Sequence, residues 1–116
     1  MKFETLKQDT SNGSLMGTFD STRRKIEEVF GAPTFTTDEE WEKVTIEWVI
    51  KFEDGTVASI YDWKRYEEGT PALDEEYEWH IGGKSSRAAE LISQAMETSV
   101  FDFDISSPNY RKKVAG

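Results

Sequence analysis

Residues 44–63, VTIEWVIKFEDGTVASIYDW, constrain this chain more than any other stretch. From Val44 to Phe52 the side chains alternate. Val44, Ile46, Trp48, Ile50 and Phe52 fall on one side and Thr45, Glu47, Val49 and Lys51 on the other, the period of a half-buried strand. Asp54-Gly55 follows, a pair that tolerates the positive φ values of a two-residue type I′ turn. A second apolar run, TVASIYDW, then returns, and the two predict a hairpin over 43–53 and 56–63. A two-residue loop sets Glu53 opposite Thr56. Trp48 then faces Tyr61, Ile46 faces Trp63 and Phe52 faces Val57 on the inner side, while Val49–Ile60 and Glu47–Asp62 pair on the other. A three-residue loop with a bulge breaks that register.

The flanking segments supply the rest of an α+β domain. FDSTRRKIEEVFGAP predicts a helix over 21–30, with Asp20 or Ser21 accepting from the first-turn amides and Gly31 and Pro33 as its stop. YEWHI alternates Tyr77, Trp79 and Ile81 against Glu78 and His80 and predicts a third strand. Ala88, Leu91, Ile92, Ala95 and Met96 recur at helical spacing, so a second helix is expected over 85–98, with Ser85 as its N-cap. SLMGTF reads as an edge strand, and VFDFDI alternates Phe101, Phe103 and Ile105 against Asp102 and Asp104. The expected architecture is an antiparallel sheet of three to five strands covered on its aromatic face by two helices, a single domain over 1–105 with a flexible tail over 106–116. The order of helix, Gly-x-Pro and hairpin is similar to small modules of the β-lactamase-inhibitor-protein and outer-membrane lipoprotein type.

Composition narrows the chemistry. The chain has no cysteine, which removes disulfides, thiolate zinc sites and a cysteine nucleophile. No apolar run approaches the roughly 20 residues of a membrane span, and MKFETLKQDT lacks the apolar stretch of a signal peptide, so a cytoplasmic protein is expected. The net charge of −9 is concentrated in the middle of the chain, where residues 31–80 carry four basic and fourteen acidic side chains. Such a field repels nucleic acid and attracts basic protein surfaces, although its plainest use is solubility. The acidic candidates for a protein-binding surface are Asp38, Glu39, Glu40, Glu42, Glu67, Glu68, Asp74, Glu75 and Glu76.

Three chemical alternatives compete with that surface. In HIGGKSS the glycine–lysine turn fails the phosphate-loop spacing, because Glu78 stands where a glycine is needed. Gly82 and Gly83 at a helix start, with Lys84 and Arg87 beside them, can still offer an anion site, or can be an ordinary turn. Tyr61 and Trp63 read most simply as sheet aromatics. As a stacking platform with Lys64 and His80 they complete the ligand set of a nucleotide-binding protein that sequesters a small signalling nucleotide. His80 with Glu47, Asp62 and Glu78 on one face offers a divalent-metal site for a hydrolase, or simply a wet surface. A serine triad would need His80, the only histidine, beside a serine that the sequence does not single out.

EVFGAPTF, IEWVIKFEDGTVASIYDWK and EWHIGG, in this order, resemble a family of small tailed-bacteriophage proteins. The pattern is a helix ending in Phe-Gly-x-Pro, a tryptophan-containing strand, an Asp-Gly hairpin, Ile-Tyr-Asp-Trp-Lys and Trp-x-Ile-Gly-Gly, and it covers about residues 17–95. The resemblance implies a phage origin and the host cytoplasm. With no convincing catalytic set, no required cofactor and an acidic middle, the preferred expectation is a non-enzymatic protein that binds and modulates a host protein. A basic nucleic-acid-handling or defence enzyme is the expected kind of partner, and neither nucleic acid nor membrane is contacted directly.

Overall fold

The computed structural model describes residues 1–9, 13–39, 41–102 and 111–116. Its elements in chain order are β1 (Phe3–Thr5), β2 (Ser14–Ser21), α1 (Arg23–Phe30), β3 (Phe35–Thr36), β4 (Ile46–Phe52), β5 (Val57–Tyr61), β6 (Tyr77–Gly83), α2 (Arg87–Met96), β7 (Val100–Phe101) and β8 (Lys113–Ala115). The fold is α+β, but among the described residues the antiparallel sheet has eight strands rather than three to five, seven of them in the order β1-β4-β5-β6-β2-β7-β8. Strand β3 also pairs with β4, at Glu47 and Ile46, on the edge whose other end carries β1.

Alternation in β4 and β6 sends Ile46, Trp48, Ile50, Phe52, Trp79 and Ile81 to the side covered by Ile26 and Phe30 of α1 and Ala88, Leu91 and Ile92 of α2. Trp48 and Trp79 meet edge to face at 5.6 Å, a geometry that suits the ring quadrupoles. Both indoles are satisfied by the flanks of α1. Trp48 Nε1 donates to Gly31 O at 3.0 Å and Trp79 Nε1 to Ser21 O at 3.1 Å, which sets the helix across the sheet. The cap of α1 is Thr22, whose Oγ1 accepts from Lys25 N at 3.2 Å, rather than Asp20 or Ser21. Those two residues belong to β2, where they pair with Glu78 and Tyr77. Helix α2 is shorter than the expected 85–98. Ser86 is its cap residue, Ser85 Oγ accepts from Arg87 N at 3.3 Å, and Glu97 closes the helix with a φ of 52°.

The hairpin register departs from expectation by one residue, for a local reason. The turn holds three residues, Glu53-Asp54-Gly55, with Gly55 at φ 90°. Gly55 N donates to Phe52 O at 2.9 Å and Phe52 N to Thr56 O at 2.8 Å, so Phe52 closes on Thr56. Trp48 therefore faces Ile60, Glu47 faces Tyr61 and Val49 faces Ser59. A one-residue slip exchanges the faces of a whole strand. Ile60 joins the core, and Tyr61, assigned to the core by the two-residue loop, goes to the opposite side of the sheet.

The sheet is also extended by segments whose patterns are weak. Far from being an edge, SLMGTF lies inside β2, between β6 and β7. The expected tail contributes β8, which pairs with β7 through Val100–Ala115 and Phe101–Lys113. Arg111 adds ion pairs to Asp20 at 2.7 Å and Glu78 at 3.3 Å. Phe103, Asp104, Ile105 and the first part of that tail, residues 106–110, lie outside the described residues.

Candidate binding surface

Two long connections meet at the end of the sheet remote from the Asp54-Gly55 turn: residues 37–45, leading into β4, and residues 62–76, joining β5 to β6. Asp62 ties them together. Its Oδ1 accepts from Thr45 N at 2.7 Å and Ile46 N at 3.1 Å, and its Oδ2 from Thr45 Oγ1 at 2.6 Å. Because the Thr45 hydroxyl donates to Asp62, the hydroxyl of Thr70, 2.6 Å away, donates to it in turn. Lys64 N donates to Lys43 O at 2.7 Å, a second stitch between the connections.

Arg65 organises the loop above this seam. Its half-buried guanidinium meets Glu75 at 2.6 Å and Glu68 at 3.4 Å, donates from Nε to Gly69 O at 2.9 Å and lies 4.9 Å from the Tyr77 ring centroid. Hydrogen bonding to Arg65 and to Ala72 N holds the Glu75 carboxyl below its ordinary range. Trp41, 68% exposed, leans on Tyr66 with ring centroids 5.6 Å apart. These groups enclose a hollow of about 310 Å³ whose wall includes Asp38, Glu39, Glu42, Glu67 and Glu68 around Arg65. Five of the nine acidic candidates are thus brought to one place, and Glu75 joins them through Arg65. Asp74 points elsewhere, bridging Arg24 of α1 at 2.6 and 2.9 Å, and that hydrogen bond depresses its pKa. Glu76 is exposed, and Glu40 lies outside the described residues.

The sheet face opposite the helices carries a second group of side chains. Trp63 stacks on His80 at 6.1 Å and 22°, and Tyr61 meets both rings edge on, at 6.2 Å from Trp63 and 5.6 Å from His80. Lys64 Nζ stands 5.6 Å from the Trp63 centroid. Burial holds the His80 imidazole below its usual pKa, against the opposing pull of Glu78 and Asp62. Glu47 is raised to about 8, first by burial and then by its hydrogen bond with Asp9 and the charge there. Two carboxyl groups in one hydrogen bond need one proton, and Glu47 holds it. Burial and the neighbouring Glu47 raise the Tyr61 phenol in turn. Asp9, Phe35, Trp41, Glu42, Glu47 and Trp63 line a hollow of about 480 Å³ with Lys43 and Val44.

Gly82 and Gly83, weighed as an anion site or an ordinary turn, form neither a turn nor a helix start. Both glycines are strand residues, Gly82 paired with Ser59 and Leu15 and Gly83 with Ala58 and Ser14, so their amides serve the ladder and do not open a helix. Their role is steric. A Cβ on Gly82 would stand 2.5 Å from Ser59 Oγ, and one on Gly83 2.5 Å from the Ala88 methyl. Lys84 is exposed in the turn, and Arg87 is engaged by Asp54 and Glu90, each at 3.2 Å. Tyr61, Trp63, Lys64 and His80 do come together. The metal set is likewise dispersed. Asp62 is spent on Thr45 and Ile46, Glu78 accepts from Thr18 Oγ1 at 3.2 Å and pairs with Arg111, and Glu47 holds Asp9. Among the described residues no group of three His, Cys, Asp or Glu side chains is placed to hold a metal ion.

Several residues of these surfaces escaped the sequence: Asp9, Phe35, Trp41, Tyr66 and Thr70. Trp41 carried a usable signal, a lone large ring inside the acidic run DEEWEK where no apolar partner continues the pattern. No protein-family model, curated protein or solved structure matches this chain. No helix among the described residues is long and apolar enough to cross a membrane.

Proposed function

We propose that this chain is a non-enzymatic binding protein of bacteriophage origin that engages a basic surface of a host protein in the host cytoplasm and thereby modulates it. The observation that carries the reading is the convergence of Asp38, Glu39, Glu42, Glu67 and Glu68 on one hollow beside the Trp41–Tyr66 pair, with Arg65 the one basic residue of its lining. Arginine and lysine side chains of a partner find there both carboxylate acceptors and ring faces, the combination that anchors interfaces. Negative potential at this end of the sheet speeds the encounter with a basic partner and turns nucleic acid away. A nucleic-acid-handling or defence enzyme presents such a basic surface.

Affinity capture from host lysate tests the reading. The wild-type chain is compared with Glu39→Lys/Glu67→Lys, whose reversed charges line the hollow, and with Glu4→Lys/Glu28→Lys, exposed residues away from it, as a control of equal charge change. A partner retained by the control, lost by the double reversal and weakened by salt is the expected outcome. Equal capture by all three proteins would overturn it.

A further inference from the structure

The second hollow differs in chemistry from the first and points to a ligand of its own. Its wall carries three partly exposed rings, Phe35 at 41%, Trp41 at 68% and Trp63 at 39%, together with the carboxyl groups of Asp9, Glu42 and Glu47. The rings come from three separate parts of the chain. Phe35 stands on β3, Trp41 in the connection to β4, and Trp63 just after β5. Their shared hollow is therefore a product of the tertiary fold.

We infer that this hollow binds an alkylammonium group, held against the exposed rings of Phe35 and Trp41, with Trp63 on the wall and the carboxyl groups of Asp9, Glu42 and Glu47 as its polar partners. Aromatic faces are negative at their centres and attract a cation that sheds water easily, which methylated and alkylated ammonium groups do. A neutral apolar group of the same shape gains the burial but not the charge–quadrupole attraction. A phosphate or carboxylate ligand is repelled by the carboxylates of Glu42 and Asp9, against which Lys43 is the one basic residue lining the hollow. The chain supplies its own precedent in Lys64, whose ammonium lies over the Trp63 ring. A hollow of about 480 Å³ is wider than a single water or metal ion needs and accommodates a substituted ammonium. The group can come from a free amine or from a lysine side chain of a protein.

Trp41 and Glu42 line both hollows, whereas Phe35 and Trp63 line only this one and Glu39 and Glu67 only the other, so loss of choline binding in Phe35→Ala with host-protein capture intact separates the two sites. Indole N–H resonances of the full chain are followed by NMR while choline is added, with 3,3-dimethylbutan-1-ol as its uncharged isostere. Trp48 and Trp79, hydrogen-bonded inside the core, act as internal controls. The expected result is a saturable shift of the Trp41 and Trp63 signals, with affinity for the alcohol about tenfold lower. Trp41→Ala removes a mostly exposed side chain and is expected to weaken choline about fivefold. Glu42→Gln is expected to weaken it also. Competition separates the sources. Displacement of choline by a lysine-containing peptide but not by its Nε-acetylated form assigns a protein lysine, and displacement by spermidine alone assigns a free amine. No saturable shift, equal affinity for the alcohol, or unchanged affinity in Trp41→Ala would overturn the site.

Discussion

Asp62 grips Thr45 twice, taking its amide at 2.7 Å and its hydroxyl at 2.6 Å, across the seam between the two connections that build the acidic hollow. Both residues are buried. Replacing Asp62 by Ala leaves the amides of Thr45 and Ile46 and a buried hydroxyl without acceptors, at an expected cost of about 2–4 kcal/mol in urea denaturation. Asp62→Asn keeps one oxygen for the two amides and is expected to lose less than half of that. Equal losses for the two variants would show that the seam does not depend on these acceptors.

Glu47 predicts a pH dependence of definite sign. Its pKa is raised to about 8 in the fold, so the native state holds a proton that the unfolded chain releases above its ordinary carboxylate range. The stability it contributes is complete below about pH 4.3, the ordinary glutamate value, and is lost as pH rises to about 8. Glu47→Gln keeps a donor toward Asp9 and cannot ionise. The variant is expected to gain on wild type steadily across that window, by on the order of 2 kcal/mol once solvent at the exposed Asp9 is allowed for. Urea midpoints at pH 5, 6.5 and 8 check it, and a difference that does not change with pH would refute it.

Gly82 and Gly83 predict overpacking rather than lost ligand binding. Gly82→Ala drives a methyl into Ser59 Oγ and Gly83→Ala one into the Ala88 methyl, so each is expected to cost about 1–3 kcal/mol in thermal or urea unfolding. Ser59→Ala removes the atom that Gly82→Ala meets, and the double variant is expected to recover part of the loss, which a double-mutant cycle measures. Inorganic phosphate is expected to leave the melting temperature unchanged.

Arg65 predicts a local and a global effect together. Arg65→Met abandons Glu68, Glu75 and the Gly69 carbonyl, and is expected to cost about 2–4 kcal/mol and to speed amide exchange across residues 64–70. Arg65→Lys keeps the charge but not the forked geometry and is expected to fall between the two. Unaltered exchange in that loop would remove Arg65 from its organising role.

Trp48, Trp79, Ile46 and Ile81 could be assigned to the core from alternation alone, and the two helices from their periodicity, with ends within two residues of those observed although the capping residues differ. Burial of an apolar face is a local property that repeats along an element, so it leaves a pattern in the sequence. The acidic character of residues 31–80 was equally plain. Other features depended on the tertiary structure, because they rest on one atom meeting another far away in the chain. A third turn residue, Glu53, slipped the hairpin by one position and moved Ile60 inward and Tyr61 outward. The strands β3 and β8 are too short to show a period, and they pair only because the edges of β4 and β7 are there to receive them. The two hollows likewise join Asp9, Phe35, Trp41, Glu47, Trp63 and Arg65, whose spacing carries no regular period, so only the assembled chain brings them together.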